Sequence, residues 1–223
     1  MLTAPIIYLQ GSGGNLLARS LTLDSATVPY LPRELLHTAL DTTYTTAQRL
    51  TLYNNWDHRD WTKSEQMFIQ YHEPPGDTAK FQATELKLIS TFHPKQFADG
   101  ELYGTWGVDP YWKDIIFIDY DKDDLKQITN FATMKRPDLP GHSWQIHDVE
   151  IDQIEMLKVD KPKSLCIHWQ QFQKVDDFCA GVKFLCDKLD LIFYEYAVQR
   201  LWEKWKNETE KCLSNNAKER TML

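Results

Sequence analysis

Residues 5–23 read PIIYLQGSGGNLLARSLTL, and the fold turns on this stretch. Ile6, Ile7, Tyr8 and Leu9 form a short apolar run of strand-forming residues. Gly11-Ser12-Gly13-Gly14 follow, and a helical pattern begins at Asn15-Leu16. Leu16, Leu17, Leu21 and Leu23 then recur close to the helical period. Strand, glycine-rich turn and helix together form a cradle for a phosphate. Glycines let the backbone approach, consecutive N–H groups converge, and the positive helix end favours an anion. The stretch has no Gly-Lys-Ser/Thr ending of the Walker kind and no complete GxGxxG. The same residues fit a tight β–α turn that holds no ligand equally well.

A chain of 223 residues is expected to form a single α/β domain, over residues 1–213, followed by a polar tail at 214–223. Hydrophobic residues make up 42%, enough for a sizeable core. Lys+Arg 25 against Asp+Glu 32 gives a net charge of −7. That balance argues against general binding to nucleic acid or anionic membrane, which needs clustered positive charge. It leaves room for a small, locally basic phosphate pocket. The 8 Trp and 10 Tyr supply core, and some are expected to line a site for a planar or sugar-like ligand. Cys166, Cys179, Cys186 and Cys212 show no CxxC spacing, so no zinc site is expected. Reduced thiols, no secretory leader and no run approaching roughly 20 apolar residues predict a soluble cytoplasmic protein without a membrane span.

Further along, Asp24 to Pro32 reads as a turn-rich linker, with Pro29 and Pro32 ending regular structure. Glu34 to Leu52 reads as mostly helical. Asn54 to Trp61 reads as a polar, aromatic loop, and Glu65 to Tyr71 as a further element. Leu86 to Phe92 reads as a strand closed by His93-Pro94. Asp114 to Tyr120, DIIFIDY, is the strongest strand, continuously apolar in the manner of a central parallel strand buried on both faces. A helix over Asp123 to Thr133 follows, with Asp121 or Asp123 as its cap. Val149 to Leu157 reads as a short helix and Ser164 to Trp169 as the last strand. Val175, Phe178, Val182, Leu185 and Leu189 mark a helix, and Leu191 to Leu213 a long amphipathic one.

Strands alternating with helices predict a three-layer α/β/α fold with a parallel sheet. Ligands on such sheets sit at the carboxyl ends of the strands. Those ends are Gln10-Gly11-Ser12, Thr91-Phe92-His93, Tyr120-Asp121-Lys122 and Trp169-Gln170.

Several segments, read together, resemble the sulfotransferase family, whose fold is of the P-loop NTPase type. IIYLQGSGGNLLARSL is similar to that family's opening strand, Ser-Gly phosphate-binding loop and Leu-rich helix, with Ser12-Gly13 at the matching positions. DIIFIDYDKDDLKQITNFATMKRP resembles the strand followed by an Arg-Asn-Pro-x-Asp-type turn and helix, where Asp124-Leu125 match. SLCIHWQQFQKVDDFCAGVKFLCDKLDL resembles the late strand, its turn and its helix. In LISTFHP, Thr91 and Pro94 match a further strand end. The resemblance implies 3′-phosphoadenosine 5′-phosphosulfate as donor and a hydroxyl of a small molecule or glycan as acceptor. The sequence also departs from the family. Gly11 stands where a lysine usually precedes Ser-Gly, and Gly14-Asn15 replace a threonine pair. Tyr120 and Ile128 fall where an Arg and a Ser hold the donor's 3′-phosphate. The late Arg-Lys-Gly motif is missing.

On this reading the backbone of Gly11, Ser12, Gly13, Gly14, Asn15 and Leu16 holds the 5′-phosphosulfate. Arg19 lies one helical turn beyond Asn15, and Lys122 ends the strongest strand. Thr129 is one residue from the 3′-phosphate position. Arg136, paired with Lys135, is the compact basic group near the predicted mouth. Each of these cations also fits a solvated surface role. Sulfuryl transfer needs a base for the acceptor proton, and His is the usual choice. His93 is the first candidate, while His168, inside the last strand, reads as a hydrogen-bonded core histidine. His142 and His147 are spaced wrongly for one helix face. Gly14→Asp is expected to abolish nucleotide binding and leave the fold intact. Two other classes remain open: another nucleotide-dependent transferase or kinase, and a non-catalytic binding module on the same fold.

Overall fold

The computed structural model describes residues 2–9, 11–23, 27–29, 45–55, 87–92, 115–134, 155 and 164–220. Strand β1 spans Leu2–Ile7 and leads through the glycine turn into helix α1, Gly14–Leu21. Strand β2, Thr27–Pro29, and helix α2, Thr46–Asn55, follow. Then come β3 (Lys87–Phe92), β4 (Ile116–Asp119) and α3 (Lys122–Met134). β5 (Leu165–His168) runs into a short 3-10 helix, Trp169–Gln173. Helices α4 (Val175–Leu189) and α5 (Glu195–Arg220) are the last described elements.

The five strands are parallel, in the order β2-β3-β1-β4-β5. β1 pairs with β3 along its whole length, Leu2 opposite Lys87 to Ile7 opposite Phe92. It pairs with β4 only at Ile6 and Ile7. This register accommodates Pro5, which has no N–H to donate, because pairing to β4 starts one residue later.

The predicted strands over 86–92, 114–120 and 164–169 are present, each within two residues of its predicted bounds at either end. β4 is fully covered at Ile116, Phe117 and Ile118, as its unbroken apolar run requires. α3 and α4 also match their predicted spans closely.

Three expectations are corrected. β1 begins at Leu2 and ends at Ile7, so Tyr8 and Leu9 belong to the turn. The Asp24 to Pro32 linker contains β2, whose residues pair with Lys87, Leu88 and Ile89. Pro29 is tolerated there because β2 is an outer strand of the sheet. The last helix starts at Glu195 rather than Leu191, and it continues to Arg220 through much of the expected tail. Asp190 adopts the left-handed conformation, φ 55°, and Leu191 N–H donates to the Cys186 carbonyl at 2.9 Å. That closes α4 in the manner of a Schellman turn and delays the next helix. Ala217-Lys218-Glu219-Arg220 are all good helix formers and extend it at the other end.

α1, α4 and α5 pack against one another, and α2 lies against α5. Val182 and Leu185 on α4 and Val198 on α5 are fully buried, as are Leu17 on α1 and Phe172 and Phe178. Each such side chain contributes about 1.5–3 kcal/mol. Arg49 on α2 is buried and donates from Nη1 to the Thr22 carbonyl at 2.8 Å, which fastens α2 to the carboxyl end of α1. Among the described residues, no helix is long and apolar enough to cross a membrane.

The expected element over 65–71 lies outside the described residues. So do most of 34–52 and, apart from Glu155 in helical conformation, most of 149–157.

Candidate functional site at the carboxyl edge of the sheet

The strand order reverses at β1: the chain lays β2 and β3 on one side of it and then β4 and β5 on the other, all parallel. Such a reversal opens a crevice beyond the carboxyl ends of the strands. The turn residues described at this position are 8, 9 and 11–13, leading into Gly14. Leu9 carbonyl accepts two bonds from Ser12, from its N–H at 3.0 Å and from its hydroxyl at 2.6 Å. Gly11 and Gly13 stand at φ 90° and 91°, a region that a side chain disfavours. Gly13 caps α1 without any side-chain hydrogen bond, and Leu17 N–H donates to its carbonyl at 3.1 Å. α-Helical geometry therefore leaves the N–H groups of Gly14, Asn15 and Leu16 without a helical acceptor. These three N–H groups and the helix dipole are the anion-binding equipment of the turn.

The turn is packed from behind by aromatic rings. A Cβ at Gly13 would stand 2.8 Å from Phe172 Cδ1 and 2.9 Å from Cε1. At Gly14 it would stand 2.5 Å from Tyr8 Cγ. Both glycines are thus required by the protein's own packing. This corrects the expectation for Gly14→Asp: the new side chain displaces Tyr8, so loss of binding would come with loss of stability.

The predicted site residues are distributed as follows. Gly11, Gly13 and Asn15 are half-buried, whereas Ser12, Gly14 and Leu16 are buried. The Ser12 hydroxyl faces its own backbone at Leu9, and Leu16 is part of the core, so both would serve a ligand through the main chain alone. Arg19 is half-buried in the last turn of α1, about 6 Å along the axis from Asn15. Lys122 is the exposed first residue of α3, at the carboxyl end of β4. Thr129 is half-buried and lies about 10 Å further along that helix. His93, Lys135 and Arg136 lie outside the described residues, as do His142 and His147.

A second cluster occupies the same edge at β4 and β5. Helix α3 opens with Asp121 as its cap. The buried Asp124 accepts from Asp121 N–H at 2.9 Å, and Asp124 N–H donates to Asp121 carbonyl at 3.0 Å. Asp121 thus stands at the cap, one of the two positions expected, and the side chain that bonds there is that of Asp124, three residues inside. Gln170 Nε2 donates to Asp124 Oδ1 at 3.3 Å and reaches Asp121 Oδ2 at 3.5 Å. His168, half-buried as the last residue of β5, accepts Gln170 N–H on Nδ1 at 3.3 Å. The His168 backbone N–H donates to Gln171 Oε1 at 2.9 Å, completing a capping box for the 3-10 helix. The expected hydrogen bonding of His168 is present, but the residue is not a core histidine: its side chain is 32% exposed at the end of the strand.

Asp121, Asp124 and His168 offer ligand atoms within 4.8 Å of one another. An accepting Nδ1 places the imidazole proton on Nε2, which lies 3.7 Å from Asp121 Oδ2. A metal on Nε2 would require the opposite tautomer. The cluster is a clasp joining the ends of β4 and β5, and it unites Asp121 and Gln170, both at strand ends named from the sequence, with His168 and Asp124.

Burial pushes the Cys179 thiol up to about 11, with the carboxylates of Glu195 and Asp176 adding to the effect. It is a core group, as expected of a reduced buried cysteine.

Compared with protein-family models, curated proteins and solved structures, the chain matches none.

Proposed function

We propose that this chain is a sulfotransferase-like protein with a three-layer fold of the P-loop type. It would take the 5′-phosphosulfate of 3′-phosphoadenosine 5′-phosphosulfate on the N–H groups of residues 13–16. Transfer forms a bond from an acceptor hydroxyl oxygen to sulfur and breaks the bond from sulfur to the 5′-phosphate oxygen. The acceptor proton goes to a base, His93 in this reading. The acceptor would be a small molecule or glycan. One observation carries the proposal: Gly13, left-handed at φ 91°, opens α1 where the strand order of the parallel sheet reverses.

A second reading is a binding module that keeps the fold without catalysis. It is favoured by Gly11 in place of the family's loop lysine, and by the rings that fill the space behind Gly13 and Gly14.

Calorimetric titration with 3′-phosphoadenosine 5′-phosphate, with ATP and sulfate as controls, separates the two. Selective, stoichiometric binding of the bisphosphate is the expected result. Absence of heat with all three ligands overturns the donor site and leaves the module.

A further inference from the structure

We infer that Phe172 is a positioning residue for the turn at residues 11–16, and that α5 holds the turn in shape through it. The inference rests on the proposed phosphosulfate site and names what sets that site's geometry. Gly13 is the pivot of the turn: its left-handed conformation fixes the direction of the first N–H groups of α1. The ring of Phe172 lies so close behind Gly13 that no Cβ fits between them. The ring is itself immobilised. Phe172 is fully buried, its centroid is 4.9 Å from that of Phe178 on α4, and it meets Trp205 on α5 edge-on at 6.3 Å. Its carbonyl accepts the Trp202 indole N–H at 2.8 Å, a second tie to α5. The 3-10 helix that carries Phe172 is anchored at its start by the His168–Gln171 capping box.

Protein interiors are close-packed, so a vacancy beside a backbone pivot lets that backbone move. Removing the ring would release Gly13 and disperse the N–H groups that an anion needs together. A merely structural role would lower stability and spare affinity.

The test is calorimetric affinity for 3′-phosphoadenosine 5′-phosphate, measured well below each variant's melting temperature. Phe172→Leu is expected to weaken binding about tenfold, whereas Leu185→Ala, a core deletion on α4, leaves affinity within about twofold at a comparable loss of stability. Equal affinity of Phe172→Leu and wild type overturns the inference, as does an equal loss in Leu185→Ala. Should Phe172→Leu fail to fold, Trp202→Phe takes its place, because it cuts the tie to the Phe172 carbonyl without a large cavity. A loss of about threefold is then expected, and none overturns the inference. If the wild-type protein binds no bisphosphate, the site reading itself fails; if it binds and the variants bind alike, only the role of Phe172 fails.

Discussion

Gly14 lies against the ring of Tyr8, so closely that a Cβ built on the glycine would stand 2.5 Å from Tyr8 Cγ. The residue that opens α1 and the residue that leaves β1 are therefore a packed pair. Gly14→Ala is expected to destabilise the fold by about 1–3 kcal/mol through overpacking. A smaller side chain at position 8 should relieve part of that cost. Thermal melts of Gly14→Ala, Tyr8→Leu and the double variant check this, and strict additivity of the three would disprove the contact.

Asp124 is buried and accepts the N–H of Asp121, so it secures the first turn of α3. Asp124→Ala should cost about 0.5–2 kcal/mol, within the range of a lost helix cap. Asp124→Asn, which keeps an acceptor oxygen, should cost less. Urea denaturation measures both midpoints, and the two variants falling together at the lower value would show that acceptance is not what matters.

The indole of Trp202 donates to the Phe172 carbonyl at 2.8 Å. Trp202→Phe removes the donor and keeps an aromatic ring. A loss of about 0.5–1.5 kcal/mol is expected. Chemical denaturation reads it directly, and an unchanged midpoint would mean that the bond contributes nothing net.

Cys179 has its thiol raised from 9.0 to about 11 by burial and then by Glu195 and Asp176. In the unfolded chain this thiol ionises first, so the folded state holds the extra proton between the two values. Its contribution to stability is intact below about pH 9 and is lost as pH rises toward about 11. Denaturation midpoints should fall over that window, and the fall should be shallower in Cys179→Ala. Thiol labelling of the folded protein at pH 8 should modify the exposed Cys166 long before Cys179.

How much of this was legible in the sequence depended on whether the cause was local. β4 could be read because burial on both faces writes an unbroken apolar run, Ile115 to Ile118. α4 could be read because Phe178, Val182, Leu185 and Leu189 recur at the helical period and all are buried. β2 could not, since Thr27-Val28-Pro29 has the composition of a turn and becomes a strand only by pairing with β3. The start of α5 was hidden because Leu191 is buried without being helical, so the apolar spacing ran past the true boundary. At the candidate site, the glycine turn was plain. The rings behind it were not, because Phe172 and Trp205 reach Gly13 from distant parts of the chain. Gln170 was placed at a strand end by the order of elements, but its bonds to Asp121 and Asp124 were not legible, because they join residues 46 and 49 positions apart.

The outer strands of the sheet, β2 and β5, have three and four residues, and β2 ends in a proline. Among the described residues, an incoming chain seeking to extend these five strands would find few main-chain groups on either flank, and no donor at Pro29. Taken alone, these strands are a poor template for polymerisation, a form of protection written into strand length.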